Sequence, residues 1–180
     1  MTISEILGAK FAVTQEASKL SQNRPRNRFL AEIPKMMRDT LSGDLRANFA
    51  LVATDRYLHD PCRKQCLLIC GPRGCGKSVA AAYWLSQKSG VLAYFSGSAL
   101  ADVLKTSEQC SSIVIDQIDD IAPILLKSLI KSIRDRKTEC VFVSSQLPAA
   151  LSASLDDHSR EILRQICEVV LVRHSSEKHC

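Results

Sequence analysis

Gly71-Pro72-Arg73-Gly74-Cys75-Gly76-Lys77-Ser78 is the stretch on which the reading of this chain turns. Its spacing, G-x-x-x-x-G-K-S, suits a loop that wraps a phosphate. Backbone N–H groups surround the anion, and the helix that follows points its positive N-terminal end at the same charge. Gly71, Gly74 and Gly76 supply backbone angles and a close approach that side chains would block. Pro72, Arg73 and Cys75 complete the turn. Lys77 is expected to reach the β- and γ-phosphates of ATP, and the Ser78 hydroxyl to ligate Mg²⁺.

The flanking residues give the loop its context. Cys66-Leu67-Leu68-Ile69-Cys70 is a short apolar run suited to a buried parallel strand. Ser78 to Leu85 is alanine-rich and helix-favouring, and Gly90 is a plausible stop. Beyond it, strand-like and helix-like segments alternate. Strands are expected at 66–70, 91–95, 112–116, 139–144 and 169–172, with helices at about 77–88, 98–105, 121–136 and 158–167. Pro123 is acceptable in a first helical turn. That alternation predicts an α/β fold, a five-stranded parallel sheet with helices on both faces and the loop at the carboxyl edge of the strands.

Ahead of this region lies a helical N-terminal extension over residues 1–43, followed by a nucleotide-binding domain over 44–180. Thr2 and Glu5 fit a capping box, and the segment from Ser21 to Arg28 reads as a break. A short helix is expected around Ile33 to Leu41. A stronger one runs from about Asp44, its expected cap, to His59, with Pro61 beyond its end.

Composition narrows the classes. The 180 residues are 46% hydrophobic and 24% charged, which suits a globular chain with a real core. No window approaches the roughly 20 apolar residues that span a bilayer. The opening Met1-Thr2-Ile3-Ser4-Glu5 lacks a basic region followed by an apolar core. A cytoplasmic or similarly reducing compartment is therefore expected, with neither secretion nor a membrane partner. Most of the eight cysteines read as small buried hydrophobes. A zinc site from Cys62, Cys66 and Cys70 with His59 is disfavoured, because the spacing is not C-x₂-C. Cys75 is a candidate for oxidation beside the phosphate site. The net charge of +5 is mild. Lys19, Arg24, Arg26, Arg28, Lys35 and Arg38 nevertheless face a single acid, Glu32, over that stretch. It reads equally as a surface for a phosphate backbone or as a solvated linker.

Ile113-Val114-Ile115-Asp116 is an apolar strand ending in a carboxylate, and Asp116 is expected to hold Mg²⁺ through water opposite Ser78. Asp120 is expected to cap the helix that follows. Ser145, with Ser144 as the alternative, ends the next strand where a polar group would meet the γ-phosphate or an attacking water.

These residues together resemble the AAA+ superfamily of ATPases. The likeness spans about Leu45 to His174 and is greatest for the small helicase loaders and IstB-like transposition helpers. The segment from Gly90 to Leu104 is similar to the second strand and helix of that branch. Only eight residues follow Val172, so the resemblance implies a form without the helical C-terminal lid. It also implies ATP and Mg²⁺ as cofactors, self-association or a partner ATPase or helicase, and DNA as a possible further partner. An acidic residue usually follows the strand-end aspartate, and here that place holds Gln117. The departure implies slow hydrolysis, substitution by Asp119, or ATP used as a structural signal. An arginine just before the last strand completes a neighbour's site in similar families. Arg164 and Arg160 are the candidates, with solvent-facing helix positions as the other reading. The implied role is an ATP-dependent assembly or loading factor in replication, recombination or transposition. The alternative is a non-catalytic nucleotide-binding subunit. A small-molecule kinase would need an arginine-rich closing lid, which the sequence does not display.

Overall fold

The computed structural model describes residues 28–42, 48–97 and 109–173. In chain order it runs β1 (Arg28–Ala31), α1 (Lys35–Ser42), α2 (Phe49–His59), β2 (Cys66–Cys70), α3 (Lys77–Ser86), β3 (Val91–Ser96) and β4 (Ser112–Asp116). A 3₁₀ turn (Ile118–Asp120) leads to α4 (Pro123–Arg136), β5 (Glu139–Ser144), α5 (Pro148–Ala153), α6 (Asp157–Ile166) and β6 (Cys167–Leu171). The strands form one sheet in the order β1-β3-β4-β5-β2-β6, and every neighbouring pair is parallel.

Parallel strands need helical crossovers, which cover both faces and let a strand be apolar throughout. β2 shows this: Cys-Leu-Leu-Ile-Cys is buried along its whole length. Leu67 and Ile69 face one core, with Trp84 and Leu85 of α3, Tyr57 of α2 and Val141 of β5. Cys66, Leu68 and Cys70 face the other, with Leu129 and Ile133 of α4 and Ile162 of α6. α3 carries three consecutive fully buried alanines, Ala80 to Ala82. With nothing beyond Cβ, they let the helix axis come close to the sheet, and Trp84 fills the space that remains.

All five expected strands form. A sixth, β1, joins them, starting at the last residue of the stretch read as a break and pairing Arg28 with Val91 and Phe29 with Leu92. α1 follows it and packs Met37 and Leu41 against the core of Leu67, Ile69 and Trp84. Residues 28–42 thus add a strand and a helix to the same sheet.

Several local expectations change. α2 begins at Phe49, and its cap is Asn48, whose side chain accepts a hydrogen bond from the Leu51 N–H at 2.9 Å. Asp120 does not cap α4. It closes the 3₁₀ turn, and α4 starts at Pro123, whose missing N–H needs no cap partner. β6 starts two residues earlier than its apolar run, because Cys167 already pairs with Cys66. The Thr2–Glu5 capping box, Asp44, the helix expected at 98–105, and Lys19, Arg24 and Arg26 lie outside the described residues. Cys66, Cys70, Cys140 and Cys167 are buried among apolar side chains, while Cys62 is exposed. Burial pushes the Cys70 thiol up to about 11, which keeps it an unreactive core residue.

At the amino end of β5, Glu139 accepts hydrogen bonds from Arg63 (2.8 Å) and Lys88 (2.9 Å). Burial alone would raise its carboxyl, but the two cations outweigh burial and hold it below its ordinary 4.5. A carboxylate depressed in the folded state stabilises the fold above its unfolded value and loses that contribution as pH falls through the folded value. Glu139→Gln is therefore expected to lower stability by about 1 kcal/mol near neutral pH, the difference vanishing in strong acid. Urea melts of the two proteins across the acid range check the sign.

Candidate nucleotide site

The site begins where β2 ends. Gly71, Gly74 and Gly76 take φ of +153°, +79° and +86°, in the region that favours glycine. A Cβ on Gly71 would stand 2.3 Å from the Val172 carbonyl oxygen, and one on Gly76 would stand 2.5 Å from Asn48 Nδ2. The loop is thus wedged between Val172, the residue after β6, and the cap of α2. Lys77 opens α3 and is 7% exposed. Its ammonium donates to the carbonyls of Gly71 and Pro72, both at 2.6 Å, and lies 3.7 Å from the Cys75 sulfur. Those carbonyls compensate a cation that burial would otherwise disfavour. The Cys75 thiol itself donates to the Pro72 carbonyl at 2.9 Å.

The facing wall comes from the ends of three strands. Asp116 closes β4 and is 4% exposed. Its Oδ2 accepts from the Tyr94 hydroxyl at 2.7 Å, and its Oδ1 from the Gln117 N–H at 2.9 Å. Burial first, and then the Asp116 charge, push the Tyr94 phenol far above its ordinary range, so it stays a donor. Gln117 is left-handed, with φ 57° and ψ 48°, an unusual conformation for a residue with a side chain. Its Oε1 accepts from the Ser96 hydroxyl at 2.9 Å, tying it to the end of β3. Asp119 is clasped to the end of β5: Oδ1 accepts from the Ser144 hydroxyl (2.5 Å), and Oδ2 from the Ser145 N–H (2.5 Å) and hydroxyl (2.6 Å).

A cavity of about 470 Å³ lies between these walls. Arg73, Gly74, Gly76, Lys77 and Ser78 line it from the loop, and Asp116, Gln117, Asp119 and Ser145 from the strand ends. The volume is in the range of small-molecule and cofactor sites. Ser144 is fully buried behind Asp119, whereas Ser145 is exposed and lines the cavity. The remaining wall is one that sequence reasoning missed: Met36, Met37 and Thr40 of α1. A short helix around Ile33 to Leu41 was legible, but nothing local showed that it would fold over the loop. Tyr94 was likewise read only as a strand residue.

Arg164 and Arg160 do not enter this cavity. They line a separate groove of about 280 Å³ with Leu68 and Val169, on the other face of the sheet. Arg160 pairs with Asp157 at 2.5 Å, and Arg164 approaches Glu161 at 4.0 Å.

Lys77 and Asp116 form the decisive pair. Both are buried, both line the cavity, and among the described residues neither has an ion-pair partner. Unpaired buried charges are costly unless something bridges them. Loop and strand order together define an α/β P-loop fold of the AAA+ type, with the loop strand β2 set between β5 and β6.

Solved structures share that fold. A candidate primosome component from Streptococcus pyogenes serotype M3 matches at 18% identity, over 82% of this chain and 92% of its own, with a TM-score of 0.58. DnaI matches at 11% identity, over 81% and 97%, with a TM-score of 0.55. DnaA from Aquifex aeolicus, in its AMPPCP-bound form, matches at 14% identity, over 67% and 44%, with a TM-score of 0.51. At these identities the likeness is one of fold. No protein-family model matches the sequence, and no curated protein matches it. Among the described residues no helix is long and apolar enough to cross a membrane.

Proposed function

We propose that this chain is an ATP-binding assembly or loading factor in DNA transactions, with slow hydrolysis. The observation that carries the nucleotide is the buried pair, Lys77 and Asp116, facing one cavity without ion-pair partners. A triphosphate with its magnesium ion is a ligand that answers both charges. The loop fits it, since the glycines leave backbone N–H groups uncovered and α3 starts at the same point. Hard oxygen donors suit magnesium, and Ser78 and Asp116 present a hydroxyl and a carboxylate across the cavity. The ion, when bound, would neutralise phosphate charge. Met36 and Met37 would supply polarizable, adaptable contacts to the base. Structural likeness to DnaA and to a candidate primosome component supports the DNA-transaction role. In such an assembly Arg164 or Arg160 would face a neighbouring copy's cavity, since neither reaches its own.

Gln117 favours a second reading, a nucleotide-gated module without useful turnover. An amide orients water but does not take its proton. The Ser96 hydroxyl that donates to the Gln117 amide oxygen would donate equally to a carboxylate, so Gln117→Glu leaves the local bonding intact. The variant is expected to raise steady-state ATP turnover by at least about tenfold. Phosphate release measured for both proteins, with and without single-stranded DNA, decides between the readings. A DNA-dependent rate supports the loading factor, and tight binding with no turnover in either protein favours the module.

A further inference from the structure

The hydroxyl of Tyr94 occupies a position that the nucleotide reading alone does not explain. It donates to Asp116 Oδ2 at 2.7 Å, and Ser78 is close enough to act electrostatically on the same phenol. Tyr94 therefore stands between the two groups that would hold the cation. Its ring belongs to the core formed with Leu92, Val114 and the alanines of α3, and it is 6% exposed. So packed, the ring has little room to swing aside. The β3–β4 register fixes its height, because Tyr94 pairs with Val114 one pleat below the Ser96–Asp116 pair.

We infer that Tyr94 is a positioning residue for the magnesium site, holding the Asp116 carboxylate in the rotamer that receives the hydrated cation. This rests on the nucleotide reading above and deepens it. The geometry accounts for both carboxylate oxygens: Gln117 N–H fixes Oδ1, and the Tyr94 hydroxyl fixes Oδ2. Each oxygen keeps a further lone pair for a water on the ion. A side chain anchored twice loses little freedom when the cation arrives. Without the phenol hydroxyl, Oδ2 has lost a fixed donor, and the carboxylate must be ordered when metal binds.

The test compares Tyr94→Phe with the full wild-type chain by titrating a fluorescent ATP analogue, with EDTA and then over a range of magnesium concentrations. The readout is the affinity gained from magnesium and the magnesium concentration that gives half of it. Phenylalanine keeps the ring in the core, and a thermal melt confirms that the fold is retained. The half-saturating magnesium concentration is expected to rise about tenfold in the variant, as for loss of other groups that orient a metal ligand. Should the variant require extra filling to fold, Tyr94→Met serves as a second apolar replacement with the same expected shift. An unchanged or lower magnesium requirement in a folded variant overturns the inference. A wild type that binds no nucleotide overturns the underlying reading instead, so the two failures are distinguishable.

Discussion

Lys77→Ala is expected to weaken ATP binding by about 100-fold, the loss for removing a charge-assisted contact of about 3 kcal/mol. The reason is the location of the ammonium. It sits at the first residue of α3, is nearly enclosed, and among the described residues bonds to the carbonyls of Gly71 and Pro72 and approaches the Cys75 sulfur. The phosphate chain would thus meet an immobilised cation at the positive end of a helix. Alanine removes that charge and leaves the Gly71 and Pro72 carbonyls without their cation. Lys77→Met separates charge from bulk, since it keeps the apolar stem. Both variants are expected to lose binding alike in a calorimetric titration, and retention of affinity by Lys77→Met would show that the ammonium is not the phosphate contact.

The second large effect concerns the scaffold. Gly71→Ala places a methyl group 2.3 Å from the Val172 carbonyl oxygen, at a φ of +153°. Neither atom can yield freely. Val172 N–H donates to the Cys70 carbonyl at 2.7 Å, and Gly71 N–H donates to the Ser144 carbonyl at 3.3 Å. The expected cost is about 3 kcal/mol or more, a fall of roughly 6–12 °C in Tm for a chain of this length. Gly74→Ala is the control: its φ is also positive, at +79°, but no atom lies within 4 Å of the added Cβ. It is expected to carry the backbone strain alone, about 1 kcal/mol. Equal melting temperatures for the two variants would show that the Val172 contact is slack.

What was legible in the sequence was whatever a short window contains. The loop spacing from Gly71 to Ser78, the apolar strands around it and the periodic face of α4 each declare themselves within a dozen residues. They placed five strands and the loop, and they named Lys77, Ser78, Asp116, Gln117 and Ser145 as residues that line one cavity. What was not legible depends on partners far along the chain. Arg-Phe-Leu-Ala over 28–31 is too short and too basic to read as a strand, and it pairs because β3 offers a free edge. Tyr94 acquires its partner only through the β3–β4 register. The Asp119 clasp needs β5 beside β4, which no window of either segment contains. Asp120 was read from a capping preference, and the 3₁₀ turn overrode it by using the residue before the helix could start.

The sheet order also sets a timetable. β2 is flanked by β5 and β6, whose pairing residues begin at Cys140 and Cys167, although β2 itself is made by Cys70. As the chain leaves the ribosome, Cys-Leu-Leu-Ile-Cys is thus bare of both neighbours until the 70 residues from Gly71 to Cys140 have followed. Pairings this distant in sequence close slowly, and the bare strand is the kind of surface that captures other chains meanwhile. The same strand that later carries the loop is the one most in need of protection during synthesis.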